Sequence, residues 1–385
     1  MKINKILGVA LLMLAVVLNS CKKSAQYHDI IYFTGTEQTP ETKLTLDGPG
    51  SIGLSVSSST KADKDVNVKL EVQPDQVDAY NAQTGKSYIA MPAGSYSLAS
   101  SSVTIKGGTN VSNSVALSVT SLNNFKEGAT YCIPVTITEA DNGMDILAPS
   151  KTIYVLINKT IITQAVNING NYFTVPSFAT DANLTSIGQL TMECRVYVNA
   201  FQTKNPFISS VMGIEENFLL RFGDVSIANN QLQLAGGLVG TSKYPVTSNS
   251  TFSVGQWYHV AVVFDGANML LYVNGKLDAS TQAQSGSVTF TGTAGTYSGG
   301  FHIGYSADGR LLNGYISEAR VWTKACTAIE LQNNLCYVDP TSKGLLAYWR
   351  FNGDTNGTVT DLTGHGYSAI ANKAVTYVQG VRCPK

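Results

Sequence analysis

Charged residues are scarce in this chain, and the two signs cancel. Only 14% of its 385 residues are Asp, Glu, Lys or Arg, and 26 basic side chains balance 26 acidic ones. This excludes a highly charged disordered chain, and no basic excess points to nucleic acid or an anionic bilayer. Tryptophan is also rare, with 3 residues, whereas 35 Gly and 19 Tyr are present. Such a composition favours many short β-strands joined by tight turns, in two or three domains.

Sequence patterns that carry catalysis are also missing. A retaining glycosidase needs two carboxyl groups about 5 Å apart, and no Glu-x-Asp-x-x-Glu string is present to supply them. Glu215 and Glu216 are adjacent, so on a strand their side chains would point to opposite faces. His259 and His302 lie inside apolar strand patterns and are expected to be packed. No Gly-x-Ser-x-Gly elbow or Cys-x-x-Cys pair occurs, so we expect neither an enzyme nor a cofactor.

The only long apolar run lies near the start of the chain, at residues 6–18. It follows a short basic segment, and its length suits the core of a signal peptide but not a membrane span. The run ends in the sequence LNSC at 18–21, which resembles a bacterial lipobox. The resemblance implies a signal peptide at 1–20, lipidation of Cys21 and a polar tether at 21–27. An ordinary secretory signal peptide is the alternative.

The first domain is predicted to be an immunoglobulin-like β-sandwich over residues 28–159. Short strand patterns separated by turn residues occur throughout it, at 30–33, 52–56, 66–72, 102–106, 114–119, 131–138 and 152–157. It contains in order the segments VDAYN, YIAMPAGSYSL, VTIKGG and YCIPVTI. This order resembles a domain of unknown function in Bacteroidetes lipoproteins, where it precedes glycosidase or lectin-like modules. The resemblance implies an accessory module and no catalytic residues.

The second domain is predicted to be a jelly-roll sandwich over residues 165–385, after a linker at 159–164. A strand at 255–266 is apolar on both faces, and Asn274-Gly275 is a strong hairpin signal. The chain then continues through the segments HIGY, GYISEARVW, YWRFN and DLTGHG. Together these segments resemble the LamG, or concanavalin A-like lectin/glucanase, superfamily. The family's short helix fits a capping box formed by Thr327 and Glu330.

The resemblance also implies roles for single residues. Glu318 would be structural, paired with Arg320 or a backbone turn. The three tryptophans would lie in the core, at Trp257, Trp322 and Trp349.

A jelly roll that binds glycans uses an aromatic platform beside amide or charged groups, because sugars have apolar C–H faces and many hydroxyls. Since the tryptophans are expected to be buried, tyrosines in turns and their polar neighbours are the better candidates. The predicted ligand-binding residues are Tyr244, Asn249, Tyr297, Tyr305, Asp308 and Arg310.

Calcium is a second ligand that the resemblance suggests. LamG relatives often hold calcium through Asp and backbone oxygens at the rim of the sandwich, and Asp361 is the candidate ligand here. The alternative is that Asp361 caps a turn with its carboxylate.

Five cysteines remain after Cys21, an odd number, so at least one stays free in an oxidising compartment. Cys194 alternates with apolar residues and is expected to be a buried small side chain. Cys326 and Cys336 flank a short helix, and a straight helix would hold their Cα atoms about 15 Å apart. A disulfide between them is a hypothesis that requires the chain to fold back after Asn334.

These observations predict a lipid-anchored, non-catalytic protein of the outer membrane that binds a polysaccharide or a glycoprotein glycan. Outer-membrane proteins of a glycan-uptake system are the partners that the resemblance implies. The surface-facing and the periplasmic orientation both stay open. A protein-binding adhesion or scaffold module is an alternative, and a glycoside hydrolase is a weaker one.

Overall fold

The structure is a computed structural model that describes residues 29–237, 239, 246–284, 286–291, 300–353 and 356–383. Lipidation at Cys21, the signal peptide and the tether therefore lie outside the described residues. The chain divides into two compact units, one with residues up to 125 and 129–159, the other with 126–128 and the chain from 160 onward. Both units consist mainly of β-strands, which confirms the predicted all-β class.

The first unit is a sandwich of strands β1 to β12. In chain order these are β1 (Ile30–Phe33), β2 (Glu41–Leu46), β3 (Gly50–Leu54), β4 (Val56–Ser58), β5 (Val66–Val72), β6 (Ile89–Ala90), β7 (Tyr96–Leu98), β8 (Ser102–Ile105), β9 (Val115–Val119), β10 (Thr130–Ala140), β11 (Asp145–Ile146) and β12 (Thr152–Lys159). The largest sheet has the order β2-β12-β10-β5-β8. Inward residues such as Val68, Val103 and Val135 form its core.

A helix of this unit was not predicted. Helix α1 (Gln76–Thr84) includes the VDAYN segment, and Val77 packs against Cys132 and Leu156. The ring of Tyr80 stacks on Tyr154 at 3.7 Å between centroids. The helix buries few apolar side chains, so its sequence lacks the apolar stripe that identifies a longer amphipathic helix.

The second unit is a two-sheet jelly roll. Its strands are β13 (Ile161–Asn167), β14 (Phe173–Thr174), β15 (Leu190–Ala200), β16 (Ser209–Ile214), β17 (Phe218–Asp224), β18 (Ile227–Ala235), β19 (Val246–Thr251), β20 (Trp257–Phe264), β21 (Asn268–Val273), β22 (Lys276–Gln282), β23 (His302–Ile303), β24 (Asn313–Trp322), β25 (Leu345–Arg350), β26 (Thr358–Val359), β27 (Ala369–Ala371) and β28 (Thr376–Cys383). Helix α2 (Ala328–Asn333) follows β24. Short 3-10 helices lie at Asp141–Gly143 and Ala148–Ser150 in the first unit and at Pro176–Thr180 and Ala182–Leu184 in the second.

The two sheets of this unit enclose its core. Sheet I has the strand order β22-β21-β20-β15-β24-β13-β28, with β25 also paired to β24, and sheet II has the order β19-β18-β17-β16-β23-β14-β27-β26. On β15 the side chains of Met192, Cys194 and Val196 point into the core, as alternation requires. Cys194 is buried as predicted. The intervening side chains of β15 therefore lie on the outer face of sheet I.

Three local predictions for this unit are confirmed. The strand at 255–266 is an interior strand, because β20 pairs with β15 and β21. Asn274 and Gly275 form the predicted hairpin turn, with φ of 51° and 74°. The side chains of Thr327 and Glu330 form the capping box at the start of α2.

The expected linker at 159–164 is wrong for most of its length. Strand β13 begins at Ile161 and pairs with β28, so only Thr160 separates it from β12. The pairing with β28 is a long-range contact that local composition does not reveal. No helix in the described part of the chain is long and apolar enough to cross a membrane.

The predicted Cys326–Cys336 disulfide is also wrong. Cys336 pairs with Cys383 at the end of β28, with a Cα–Cα distance of 5.5 Å. Cys326 is buried beside Trp322 and Leu331, and its backbone N–H donates to the hydroxyl of Thr191 at 3.0 Å. Its side chain is thus packed beneath α2, away from Cys336. Among the described residues, Cys132 and Cys194 are likewise free and buried.

Candidate functional site

Three aromatic side chains form a row across adjacent strands on the outer face of sheet I. Tyr197 of β15 lies opposite Trp257 of β20 on one side and opposite Tyr315 of β24 on the other. The ring centroids of Tyr197 and Trp257 are 5.4 Å apart, and those of Tyr197 and Tyr315 are 5.6 Å apart. All three rings are partly exposed. We call these three residues the aromatic row.

The aromatic row is the floor of a groove whose wall is β28, the last strand of sheet I in the described part of the chain. The groove has a volume of about 400 Å³, and its lining residues are Tyr197, Asn199, Trp257, Tyr315, Val378, Gln379, Gly380, Val381 and Arg382. Asn199 and Gln379 bring amide groups that donate and accept hydrogen bonds, and Arg382 brings a guanidinium group. The groove therefore combines apolar ring faces with a few polar groups.

A β-bulge shapes the wall of the groove. The pairing of β13 with β28 passes from Thr163–Val381 to Ala165–Val378, so β28 has one residue more than its partner strand between these pairs. Gly380 sits in this bulge with φ of 73°. Since a side chain disfavours this left-handed conformation, glycine suits the position.

A buried arginine supports both the floor and the wall. The guanidinium carbon of Arg195 lies 4.7 Å from the centre of the Trp257 ring. Its nitrogens donate to the hydroxyl of Ser317 at 3.2 Å and to the backbone carbonyl of Arg382 at 2.7 Å. Burial lowers the pKa of Arg195 to about 10, so the side chain remains charged at neutral pH. One cation therefore links the indole ring to β28.

Next to the aromatic row, the outer face of sheet I is buried beneath α2 and the segments that flank it. There Glu193 accepts hydrogen bonds from Trp322 Nε1 at 2.6 Å and contacts His259 Nε2 at 2.7 Å and Arg320 at 3.3 Å. Burial by itself raises the pKa of Glu193, but the charge of Arg320 and the two hydrogen bonds outweigh it and lower the pKa to about 2. We call these four residues the buried ion network.

His259 and His302 were predicted to be packed, and Glu318 to be a structural residue paired with Arg320; the structure agrees with these predictions. His259 is packed in the buried ion network, and His302 is 5% exposed. Glu318 forms ion pairs with Arg320 and, at 3.3 Å, with Arg350. Its carboxylate is therefore committed to the sheet and does not line the groove.

The predicted residues Tyr305 and Asp308 lie together, but elsewhere in the domain. The hydroxyl of Tyr305 donates to Asp308 at 3.2 Å, and its ring stacks on Tyr172 with 4.4 Å between centroids. Arg310 instead pairs with Glu215 at 2.9 Å. None of the three predicted residues lines the groove, and their role in binding stays a prediction.

The other predicted ligand residues have different positions. Asn249 of β19 is tied to Asp278 of β22, because its backbone N–H donates to the carboxylate at 2.7 Å and its amide donates to the carbonyl at 2.5 Å. This residue thus bridges the edges of the two sheets. Tyr244 and Tyr297 lie outside the described residues.

Asp361 caps a turn. Its carboxylate accepts hydrogen bonds from the backbone N–H groups of Tyr348, Thr363 and Tyr367 at 3.1–3.2 Å, and from the hydroxyl of Thr363 at 2.8 Å. These donors use the oxygens that a calcium ion would need. Among the described residues, no group of three or more His, Cys, Asp or Glu could hold a metal ion.

Glu215 and Asp224 bind the same arginine. Arg221 contacts Asp224 at 2.6 Å and Glu215 at 3.7 Å, and Arg310 also holds Glu215. Glu215 and Glu216 both lie in the turn after β16, where Glu216 has a φ of 60°, so the orientation expected for two adjacent strand residues does not apply to them. Guanidinium groups therefore hold the carboxylates of Glu215 and Asp224, and neither residue lines the groove.

The groove was not predicted from the sequence. Burial of the tryptophans is confirmed for Trp322 and Trp349, which are 2% and 0% exposed, but it is wrong for Trp257. Trp257 alternates out of phase with Val260 and Val262, so it faces outward at the start of β20. The same outward phase places Tyr197 on β15. This alternation was the available signal, but only the pairing of distant strands shows that the outward rings are neighbours.

Comparisons with known proteins agree with this architecture. An N-terminal-domain family model matches residues 24–144, and the Laminin_G_3 model, described as the concanavalin A-like lectin/glucanases superfamily, matches residues 167–332. The structure of a proposed carbohydrate-binding protein from Bacteroides ovatus has 25% sequence identity and a TM-score of 0.58. The alignment covers 91% of this chain and 97% of that one.

Two more distant structures share less of the fold. A heptameric SAP-like pentraxin from Limulus polyphemus has 16% identity and a TM-score of 0.37, over 58% of this chain and 98% of that one. Domain 4 of an extracellular arabinanase from Geobacillus stearothermophilus, solved with arabinotriose, has 18% identity and a TM-score of 0.32. Its alignment covers 44% of this chain and 75% of that one. The comparison with curated proteins found no match. The Laminin_G_3 match places the second domain of this chain in the concanavalin A-like lectin/glucanases superfamily.

Proposed function

We propose that this protein binds a polysaccharide or glycoprotein glycan in the groove of its second domain, without catalysis. The observation that carries the proposal is the aromatic row, flanked by the amides of Asn199 and Gln379. Sugar rings present apolar C–H faces that pack on aromatic rings, while their hydroxyls bond to amide and guanidinium groups. The volume of about 400 Å³ lies within the range of small-molecule sites.

The lining of the groove supports binding rather than hydrolysis. Its nine lining residues include no carboxylate, whereas a glycosidase needs a general acid beside a nucleophile or base. Glu193 and Glu318 lie on the same face of sheet I, and both are buried in ion pairs. The groove therefore contains the groups that hold a sugar and lacks those that cleave one.

We further propose that the protein acts in the outer membrane as a lipid-anchored component of a glycan-uptake system. The lipobox-like sequence ending at Cys21 supports the anchor, and the similar Bacteroides ovatus structure supports a setting in that bacterial group. Radiolabelled palmitate should label the wild-type protein, and Cys21→Ser should abolish both the label and membrane association. Membrane association that persists in the variant would contradict lipidation.

Affinity gel electrophoresis of the full chain on a panel of polysaccharides, followed by calorimetry, tests glycan binding. Trp257→Ala removes the largest ring of the floor, and we expect it to weaken binding at least tenfold, which equals about 1.4 kcal/mol. Tyr305→Ala is the matched control, because it removes an aromatic ring from the separate cluster with Tyr172. If Tyr305→Ala abolishes binding and Trp257→Ala leaves it unchanged, the groove is not the site.

A further inference from the structure

The described residues that line the groove carry charge of one sign only. Arg382 is exposed and is the only charged residue among the nine that line the groove. The guanidinium group of Arg195 lies over the ring of Trp257 and donates a hydrogen bond to the backbone carbonyl of Arg382 in β28. Two cationic groups are thus close to the groove, one on its wall and one stacked on a ring of its floor.

The described contacts of Arg195 include no carboxylate. Its hydrogen-bond acceptors are a hydroxyl and a backbone carbonyl, and its ring partner is neutral. Glu318 acts on it only through space, and that carboxylate is already paired with Arg320 and Arg350. Stacking of a neutral sugar on an indole needs the ring face and no charge. An anionic group near the ring would be attracted by the guanidinium group.

From this geometry we infer that the groove selects an anionic saccharide, one that carries a carboxylate or a sulfate ester. The inference rests on the proposed function and adds the class of ligand. The uncharged part of each sugar packs on the aromatic row, and the anionic substituent faces Arg382. A guanidinium group suits this role because its planar fork donates two parallel hydrogen bonds to a carboxylate or sulfate. Arg195 is a positioning residue that holds the indole ring and the wall together and adds positive potential.

Matched pairs of polymers that differ only in charge test the inference on the full chain. Polygalacturonate is compared with its methyl ester, and chondroitin sulfate with its desulfated, carboxyl-reduced form. We expect at least one anionic polymer to bind tenfold or more tightly than its neutral partner, and added salt to weaken this binding. Arg382→Gln should reduce the affinity for that polymer about tenfold, and Arg382→Lys should retain part of it.

Lys276→Gln is the control for net charge, because it removes one exposed cation from β22 at the opposite end of sheet I. It should leave the affinity for the anionic polymer unchanged. Equal affinity for charged and neutral polymers, with no effect of Arg382→Gln, overturns the selection of anions. In that case a loss of binding in Trp257→Ala still supports the proposed function. Binding that does not depend on Trp257, or no binding to any glycan, overturns both.

Discussion

The buried ion network makes a strong prediction about stability. Glu193 is 1% exposed and holds His259, Arg320 and Trp322 at one point of sheet I. Glu193→Gln keeps the shape of the side chain and removes its charge. We expect the second domain to lose about 3 kcal/mol of unfolding free energy at pH 7, because the buried Arg320 loses one of its two carboxylate partners.

The magnitude follows from the pKa of Glu193. Its pKa is 4.5 in the absence of the fold and about 2 in the folded protein. A pKa difference of one corresponds to about 1.4 kcal/mol, so the folded state favours the ionised form by about 3 kcal/mol. Breaking a buried ion pair costs about 3–5 kcal/mol, which agrees with this value. Because the pKa of Glu193 is lower in the folded state, its ionised carboxylate contributes fully to the free energy of unfolding above pH 4.5. This contribution is lost as the pH falls towards 2.

Tryptophan fluorescence is the appropriate assay, because Trp257, Trp322 and Trp349 are the three tryptophans of the chain and all lie in the second domain. Urea unfolding at several pH values between 2 and 7 would compare the wild type with Glu193→Gln. Asp308→Asn is the control, since Asp308 is exposed and the exchange should change stability by less than about 0.5 kcal/mol. A loss below about 1 kcal/mol in Glu193→Gln, or an unaltered slope between pH 2 and 4.5, would refute the reasoning.

Two further predictions concern the wall of the groove. Reducing the Cys336–Cys383 disulfide should weaken glycan binding severalfold, because it releases the end of β28; unchanged affinity in the Cys383→Ser variant would contradict this. Gly380→Ala should cost about 1–2 kcal/mol of stability and also weaken binding in calorimetry, because its φ of 73° disfavours a side chain. Gly364→Ala, with φ of 79° in a turn that does not line the groove, should cost the same stability and leave binding intact.

Local features of both domains could be predicted because they depend on neighbouring residues. The strand over Val66–Val72 follows from its period of two, and the turn at Asn274-Gly275 follows from the backbone conformation that these residues tolerate. The capping box of Thr327 and Glu330 spans only four residues. Each of these features is decided within one turn or strand.

The failed predictions required knowledge of distant partners. Cys336 has its partner 47 residues away, on a strand whose position depends on β13. Trp257 was expected in the core because its family position suggested burial, but its phase on β20 places it outside. The residues of the groove come from β15, β20, β24 and β28, so their proximity depends on strand order.

The sequence by itself determined the all-β class, the two-sandwich organisation and the superfamily resemblance, because alternation, turn residues and motif order are properties of short segments. The tertiary structure alone decided which outward-facing rings meet, which cysteines pair and which face of sheet I stays open to a ligand. The physical reason is that strand pairing joins residues far apart in the chain. A binding surface built across four strands exists only after those pairings have formed.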